Sequence, residues 1–171
     1  VVSDVGAYNT LCRLLPEGAL PLRLKLEKMA AQEYSAATVY LGLKDNPSTL
    51  GFNGANHWIF AEEDHEAIAR NRDGLVRNRP PFAFLSFPSM RNPHAKNHTA
   101  EIVAPLGYDI VAQWELHPWR RRGQDYEQLK NHIAQSLLDM VEEHYPGFQA
   151  LVEYREVATP VTISTFTGHP R

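Results

Sequence analysis

One cysteine, Cys12, is all this 171-residue sequence contains, which excludes an intrachain disulfide and any cysteine-built zinc site. Its thiol lies inside the apolar run Leu11 to Leu15 and reads as a buried structural group rather than a nucleophile. Positive charge is scarce as well. The net charge is −3 and the sequence pI is near 6.2, so no broad basic surface exists to neutralise a phosphate backbone, and nucleic acid is not an expected partner. The one basic cluster, Arg120-Arg121-Arg122, reads as a solvated loop ahead of a helix, with contact to an anionic lipid or a cofactor phosphate as the less common alternative. No run reaches the roughly 18 apolar residues that cross a bilayer, and no secretory leader pattern is visible.

Reactive constellations are missing too. There is no Gly-x-Ser-x-Gly elbow, and Ser86 and Ser89 have no base beside them. There is no Gly-x-Gly-x-x-Gly fingerprint, and the glycine pair in "GFNGAN" is followed by no helical pattern that could cradle a phosphate. Eight histidines invite a metal reading, which their spacing does not support. Glu63, Asp64, His65 and Glu66 are contiguous and so spread around a helix axis. His132 and His144 stand about 18 Å apart along the helix that carries both. These patterns assign no catalytic, metal-binding or cofactor-binding residue.

What the chain does have is apolar patterning: 43% of its residues are hydrophobic, enough for one core across a single domain, residues 1–171. A short helix capped by Ser3 or Asp4 carries Tyr8 to Leu15 and stops at Pro16, and a second helix starts near Pro21. "SAATVYLGL" (35–43) reads as a central strand covered on both sides. Further strands follow at 57–61, at 82–87 after Pro80-Pro81, and at 99–104. A helix ends at Gly74, after acids in its first turn. The longest helix spans about 125–144, with Tyr126, Leu129, Ile133, Leu137, Met140 and Val141 in one stripe and a capping box from Asp125 to Gln128. After Pro146-Gly147, "LVEYREVA" returns to the sheet. The fold class is therefore α+β, a mixed, largely antiparallel sheet of about five strands with helices packed on one side. Tyr40, Trp58, Phe60, Phe82 and Phe84 fall on strand faces that could line a cavity, although core packing is the commoner role for any one of them.

The order of these pieces is what becomes diagnostic. "VVSDVGAYNTLCRLLP", "ATVYLGL", "FAFLSFPSMRNP", a strand ending in "APLGY", a long helix closing in "YPG" and finally "EVATPVTISTFTGHPR" follow one another through nearly the whole chain. Together they resemble the phytoene dehydrogenase and carotenoid isomerase family of FAD-dependent oxidoreductases, including its retinol saturase-like members. Where relatives carry Asp-Pro and Pro-Gly pairs after "PS", this chain runs Met90-Arg91-Asn92-Pro93 to Thr99 with no Pro-Gly, a rebuilt turn. The resemblance implies FAD in the full-length parent and none in this piece, which begins without a methionine and is expected to be an excised substrate-binding domain. It also implies an extended apolar, carotenoid- or retinoid-like substrate, desaturated, saturated or isomerised. Implied partners are that substrate, the FAD-binding domain of the same parent chain and a peripheral membrane surface, with a cytoplasmic or peripheral-membrane location. Tyr40, Phe60, Phe84 and Ser86 on strands, with Thr165 and Phe166 in the last segment, are the substrate-cavity candidates. The alternative is a non-catalytic module that binds an apolar ligand or a protein.

Overall fold

A computed structural model describes residues 2–6, 8–16, 34–71 and 73–168. Five strands form one sheet: β1 (Tyr34–Leu43), β2 (His57–Phe60), β3 (Phe82–Ser86), β4 (His98–Gly107) and β5 (Val152–Ala158). Their order is β2-β3-β4-β1-β5, and every described pairing is antiparallel. With α1 (His65–Arg70) following β2, and α2 (Gln124–His144) and α3 (Pro160–Thr167) packed against this sheet, the α+β reading holds. The helix expected from Pro21 lies outside the described residues.

Directly opposed residues of an antiparallel ladder share a face, so the register sorts the whole sheet. One row runs His57, Leu85, Ile102, Val39, Val157, and the neighbouring row runs Trp58, Phe84, Val103, Thr38, Ala158. The first row belongs to the core face, to which β1 adds Ala37, Leu41 and Leu43, all buried. Onto that face α2 lays Ile133, Ala134, Leu137, Leu138 and Val141, the stripe its three-and-four spacing predicts. The second row belongs to a face that stays open. This corrects the expectation for β1: the strand is interior to the sheet, but the described residues cover it on one side only, with Tyr40 48% exposed on the other. Ala36, Tyr40 and Gly42 make "SAATVYLGL" look apolar on both faces, yet they lie on the open one.

β5 is the outer strand beside β1, with residues 153–156 exposed. Pro105 lies beyond the last β3–β4 pair, where β4 has a partner on one side only, the place a residue lacking an N–H is tolerated. At the N-terminus, Cys12 is buried as expected, within a single π-helical turn, Asn9–Leu14.

Helix ends differ from expectation in instructive ways. α1 is shorter than predicted: Asp64 Oδ1 caps it by accepting from Glu66 N (2.9 Å) and Ala67 N (3.1 Å), and it stops at Arg70 before a separate 3-10 turn, Gly74–Arg77. A Cβ at Gly74 would collide with the backbone carbonyl of Arg79 and the side-chain amide of Asn71. Gly74→Ala is therefore expected to cost about 1–3 kcal/mol, read as a drop in urea midpoint at unchanged slope. No capping box opens α2. Gly123 (φ 87°) stands at its N-cap with no side-chain bond, leaving Asp125 and Glu127 to interact with the helix dipole.

In the last turn of α2, Glu142 anchors the turn that follows the helix. Its carboxylate accepts from Gly147 N at 2.7 Å and Gln149 N at 2.8 Å. The Gln149 N–H, then the Gly147 N–H, hold this carboxyl below its usual value. A depressed folded-state pKa contributes stability that is present above the unfolded value of 4.5 and is lost as pH falls through the folded one. Glu142→Gln should destabilise the chain by about 1 kcal/mol at neutral pH. Urea melts of the pair should converge in strong acid, where the native carboxylate is itself protonated.

Candidate functional site

The open face of the sheet is the site. On it Trp58 sits opposite Phe84 with ring centroids 4.8 Å apart, and Phe60 sits opposite Phe82 at 5.9 Å. Trp58 and Phe60 are stacked at 6.3 Å with planes 11° apart. Alternation in β2 and β3 sends these four rings to one side while Ile59, Ala83 and Leu85 enter the core. Trp58 is nonetheless 59% exposed, so the rings form a surface rather than an interior. Beside them Ala36, Val103 and Pro105 complete a hollow of about 340 Å³ whose only hydroxyl-bearing lining residue is Ser35. Such a surface offers shape and apolar area and no charged anchor.

A second hollow, of about 520 Å³, opens at the β5 edge. Tyr40 and Glu156 of the sheet, Tyr126 and Lys130 of α2, Phe166 of α3 and Trp119 line it. Tyr40 and Ala36 share the open face of β1 four residues apart, so about 13 Å separates the two hollows along the strand. Lys130 Nζ bridges Glu156 at 3.1 Å and Glu127 at 3.4 Å. Burial pushes the Lys130 ammonium down, but the two carboxylates outweigh it and hold its pKa above the usual value. Burial likewise pushes Glu156 up. The hydrogen bond and charge of Lys130, with help from the Tyr154 hydroxyl and Arg120, bring it below the usual carboxylate value.

Of the six candidates from the sequence, Tyr40, Phe60, Phe84 and Ser86 all fall on the open face. Phe84 lines the first hollow and Tyr40 the second, and Phe60 flanks the first. Ser86 faces the same way but is 2% exposed, and its hydroxyl accepts from Arg91 Nη2 at 3.3 Å. Phe166 lines the second hollow, edge-on to Trp119 at 5.3 Å. Thr165 lies on the same helix, where its hydroxyl accepts from Arg122 and donates to the Val161 carbonyl at 2.7 Å. The segment holding both residues is helical, and Pro160 at the first turn of α3 is compatible with this because it gives up an N–H the helix does not need.

Sequence reasoning missed two contributors. Trp119 was not singled out, and Arg122 was read as solvated. Arg122 is 5% exposed, its Nη2 donating to Thr165 Oγ1 at 2.9 Å. The signal was the four-residue spacing from Arg122 to Tyr126, which places the guanidinium over that ring at 5.2 Å.

Among the described residues no group of three His, Cys, Asp or Glu side chains could hold a metal ion. His132 Nε2 instead meets the Val76 carbonyl and His144 Nδ1 that of Met140, both at 2.9 Å. None of the described helices is long and apolar enough to cross a membrane. A dinucleotide pyrophosphate asks for a glycine turn between a strand and the open N-terminus of a helix. Gly123 heads α2, but no strand leads into it, and Asp125 and Glu127 would repel a phosphate there. The described residues thus do not fit the phosphates of FAD.

No family model matches the chain, and no solved structure does. Curated proteins do match. An all-trans-retinol 13,14-reductase of Danio rerio is 26% identical over 183 residues, covering all of this chain and 30% of its own length. One of Homo sapiens is 23% identical over 182 residues, again covering all of this chain and 30% of its own. An inactive all-trans-retinol 13,14-reductase of Danio rerio is 26% identical over 180 residues, 95% of this chain and 29% of that protein. The chain is distantly similar, along its whole length, to all-trans-retinol 13,14-reductases, and it spans about 30% of the length of those it matches.

Proposed function

We propose that this chain is the substrate-facing portion of a flavin-dependent oxidoreductase acting on an extended apolar molecule, a retinoid or carotenoid, by saturating, desaturating or isomerising it. The observation that carries the reading is the row Trp58, Phe84, Val103 on a part of the sheet that the described residues leave open, while Leu85, Ile102 and Val39 on the opposite face are buried in the core. An extended polyene laid across these rings would bury a few hundred Å² at roughly 25 cal/mol per Å², enough for micromolar affinity without an ionic contact. In this reading the chain's own residues bind and orient the polyene and keep water from it. Flavin supplies the redox chemistry when bound, and residues outside those described would hold it, on an FAD-binding domain of the same parent protein. Substrates this apolar are met at membrane surfaces, so peripheral contact with a bilayer belongs to the same proposal.

Titrating the purified chain with all-trans-retinol should quench tryptophan fluorescence with saturation in the micromolar range. The full-length gene product should show flavin absorbance and consume an added polyene. A folded full-length product that is colourless and binds no polyene would defeat the reading. Similarity to the inactive Danio rerio relative favours a second reading, a module that binds the apolar ligand without redox chemistry. Binding without turnover by a flavin-loaded full-length product would select it.

A further inference from the structure

We propose that the hollow between α2, α3 and β5 is a binding site for a monoanionic amphiphile, an apolar chain ending in a carboxylate whose head is held by Arg122. Arg122 lines this hollow and is nearly withdrawn from water. Its hydrogen bonds go to neutral hydroxyls: Nη2 to Thr165 Oγ1 at 2.9 Å, and Nη1 to the Tyr126 hydroxyl at a long 3.5 Å. Its Nε meets no acceptor, and it forms no ion pair with any described residue. A guanidinium taken out of water regains its lost solvation from an anion or from a full set of acceptors. Arg122 has neither.

The surrounding charges do not make up the deficit. Lys130 is matched by Glu127 and Glu156. Arg120 lies over the Trp119 ring at 4.3 Å and acts on Glu156 only through space. Around the hollow Arg120, Arg122 and Lys130 stand against Glu127 and Glu156, three cations and two carboxylates, which leaves one positive charge. A carboxylate neutralises that charge, whereas a phosphate monoester dianion overshoots it. The planar fork of a guanidinium also matches a carboxylate in geometry, and Nη1, weakly held by Tyr126, is the donor a ligand can take over. Trp119, Ile163 and Phe166 provide an apolar wall for the chain behind the head. The volume of about 520 Å³ falls within the range of small-molecule sites. This site needs neither flavin nor polyene and stands apart from the oxidoreductase reading.

Calorimetric titration of the chain with dodecanoate, dodecanol and dodecyl phosphate tests it, since none of the three is a redox substrate. Dodecanoate is expected to bind about tenfold or more tightly than dodecanol, and more tightly than the phosphate ester. Equal affinity for acid and alcohol overturns the proposal, and tighter binding of the phosphate ester overturns the carboxylate assignment. Arg122→Met should bring dodecanoate down to the level of dodecanol and leave dodecanol unchanged, while Arg122→Lys should keep part of the difference. If Arg122→Met does not fold, Phe166→Ala, at an exposed ring, decides the location. It should weaken acid and alcohol together by several-fold, and unchanged binding of both would place the ligand elsewhere.

Discussion

Phe148→Ala lowers the unfolding free energy of this chain by about 3–5 kcal/mol, the largest effect expected of any single substitution considered. Phe148 is completely buried in the helical turn that follows α2. Its ring stands 6.0 Å from Phe52 and 6.4 Å from Phe87, while Phe52 itself meets Phe87 at 4.4 Å and Tyr145 at 4.8 Å. This cluster ties the loop before β2 to the end of β3 and the end of α2. His57 joins it through a 2.8 Å hydrogen bond between Nδ1 and the Tyr145 hydroxyl. Removing the Phe148 ring leaves a cavity that rigid aromatic neighbours fill poorly. Domains of this size are stable by about 5–15 kcal/mol, so the variant should lie near the edge of folding. Urea melts will show it. A loss below about 1 kcal/mol would mean that the cluster closes over the gap and does not brace these elements.

Phe84→Asp is expected to weaken all-trans-retinol binding by about tenfold or more while costing far less stability than Phe148→Ala. Phe84 is half-buried at the middle of the open face, with Trp58 on β2 and Val103 on β4 opposite it. A carboxylate placed there is hydrated in the free chain and must lose that water when a polyene covers it, a penalty of several kcal/mol that no cation among the described lining residues offsets. In the unliganded chain the change costs about 1 kcal/mol of strand preference and cross-strand aromatic contact. Fluorescence titration and thermal melts separate the two effects. Dodecanoate binding at the Arg122 hollow should be unchanged and serves as the internal control. Unaltered retinol affinity in a folded variant would remove the open face from the functional account.

Much of this architecture was legible in the sequence, for identifiable physical reasons. α2 announced itself because Ile133, Leu137 and Val141 recur at the spacing that builds one face. β1 and β3 were bounded closely because Asn46-Pro47 and Pro80-Pro81 punctuate the chain where a ladder cannot continue. Four of the candidate residues shared a face because alternation along a strand is strict, even though the strand order that gathers them depends on pairings far apart in sequence. α3 was not legible. "VTIST" is β-branched and reads as extended, and only the burial of Pro160 and Val161 against the core turns it into a helix. Arg122 escaped for the opposite reason. Patterns of hydrophobicity place charged residues outside, so a lone guanidinium drawn inward leaves no trace in them.

The outer strand β5 has a bearing on how copies of this chain would behave in a concentrated solution. Three of its four consecutive solvent-facing positions are ionic, Glu153, Arg155 and Glu156. Each would be dehydrated by a foreign strand docking alongside. Growth of the ladder by recruitment of another molecule is discouraged at this edge, which leaves β2 at the opposite edge and the aromatic side of the sheet as the surfaces through which copies would associate.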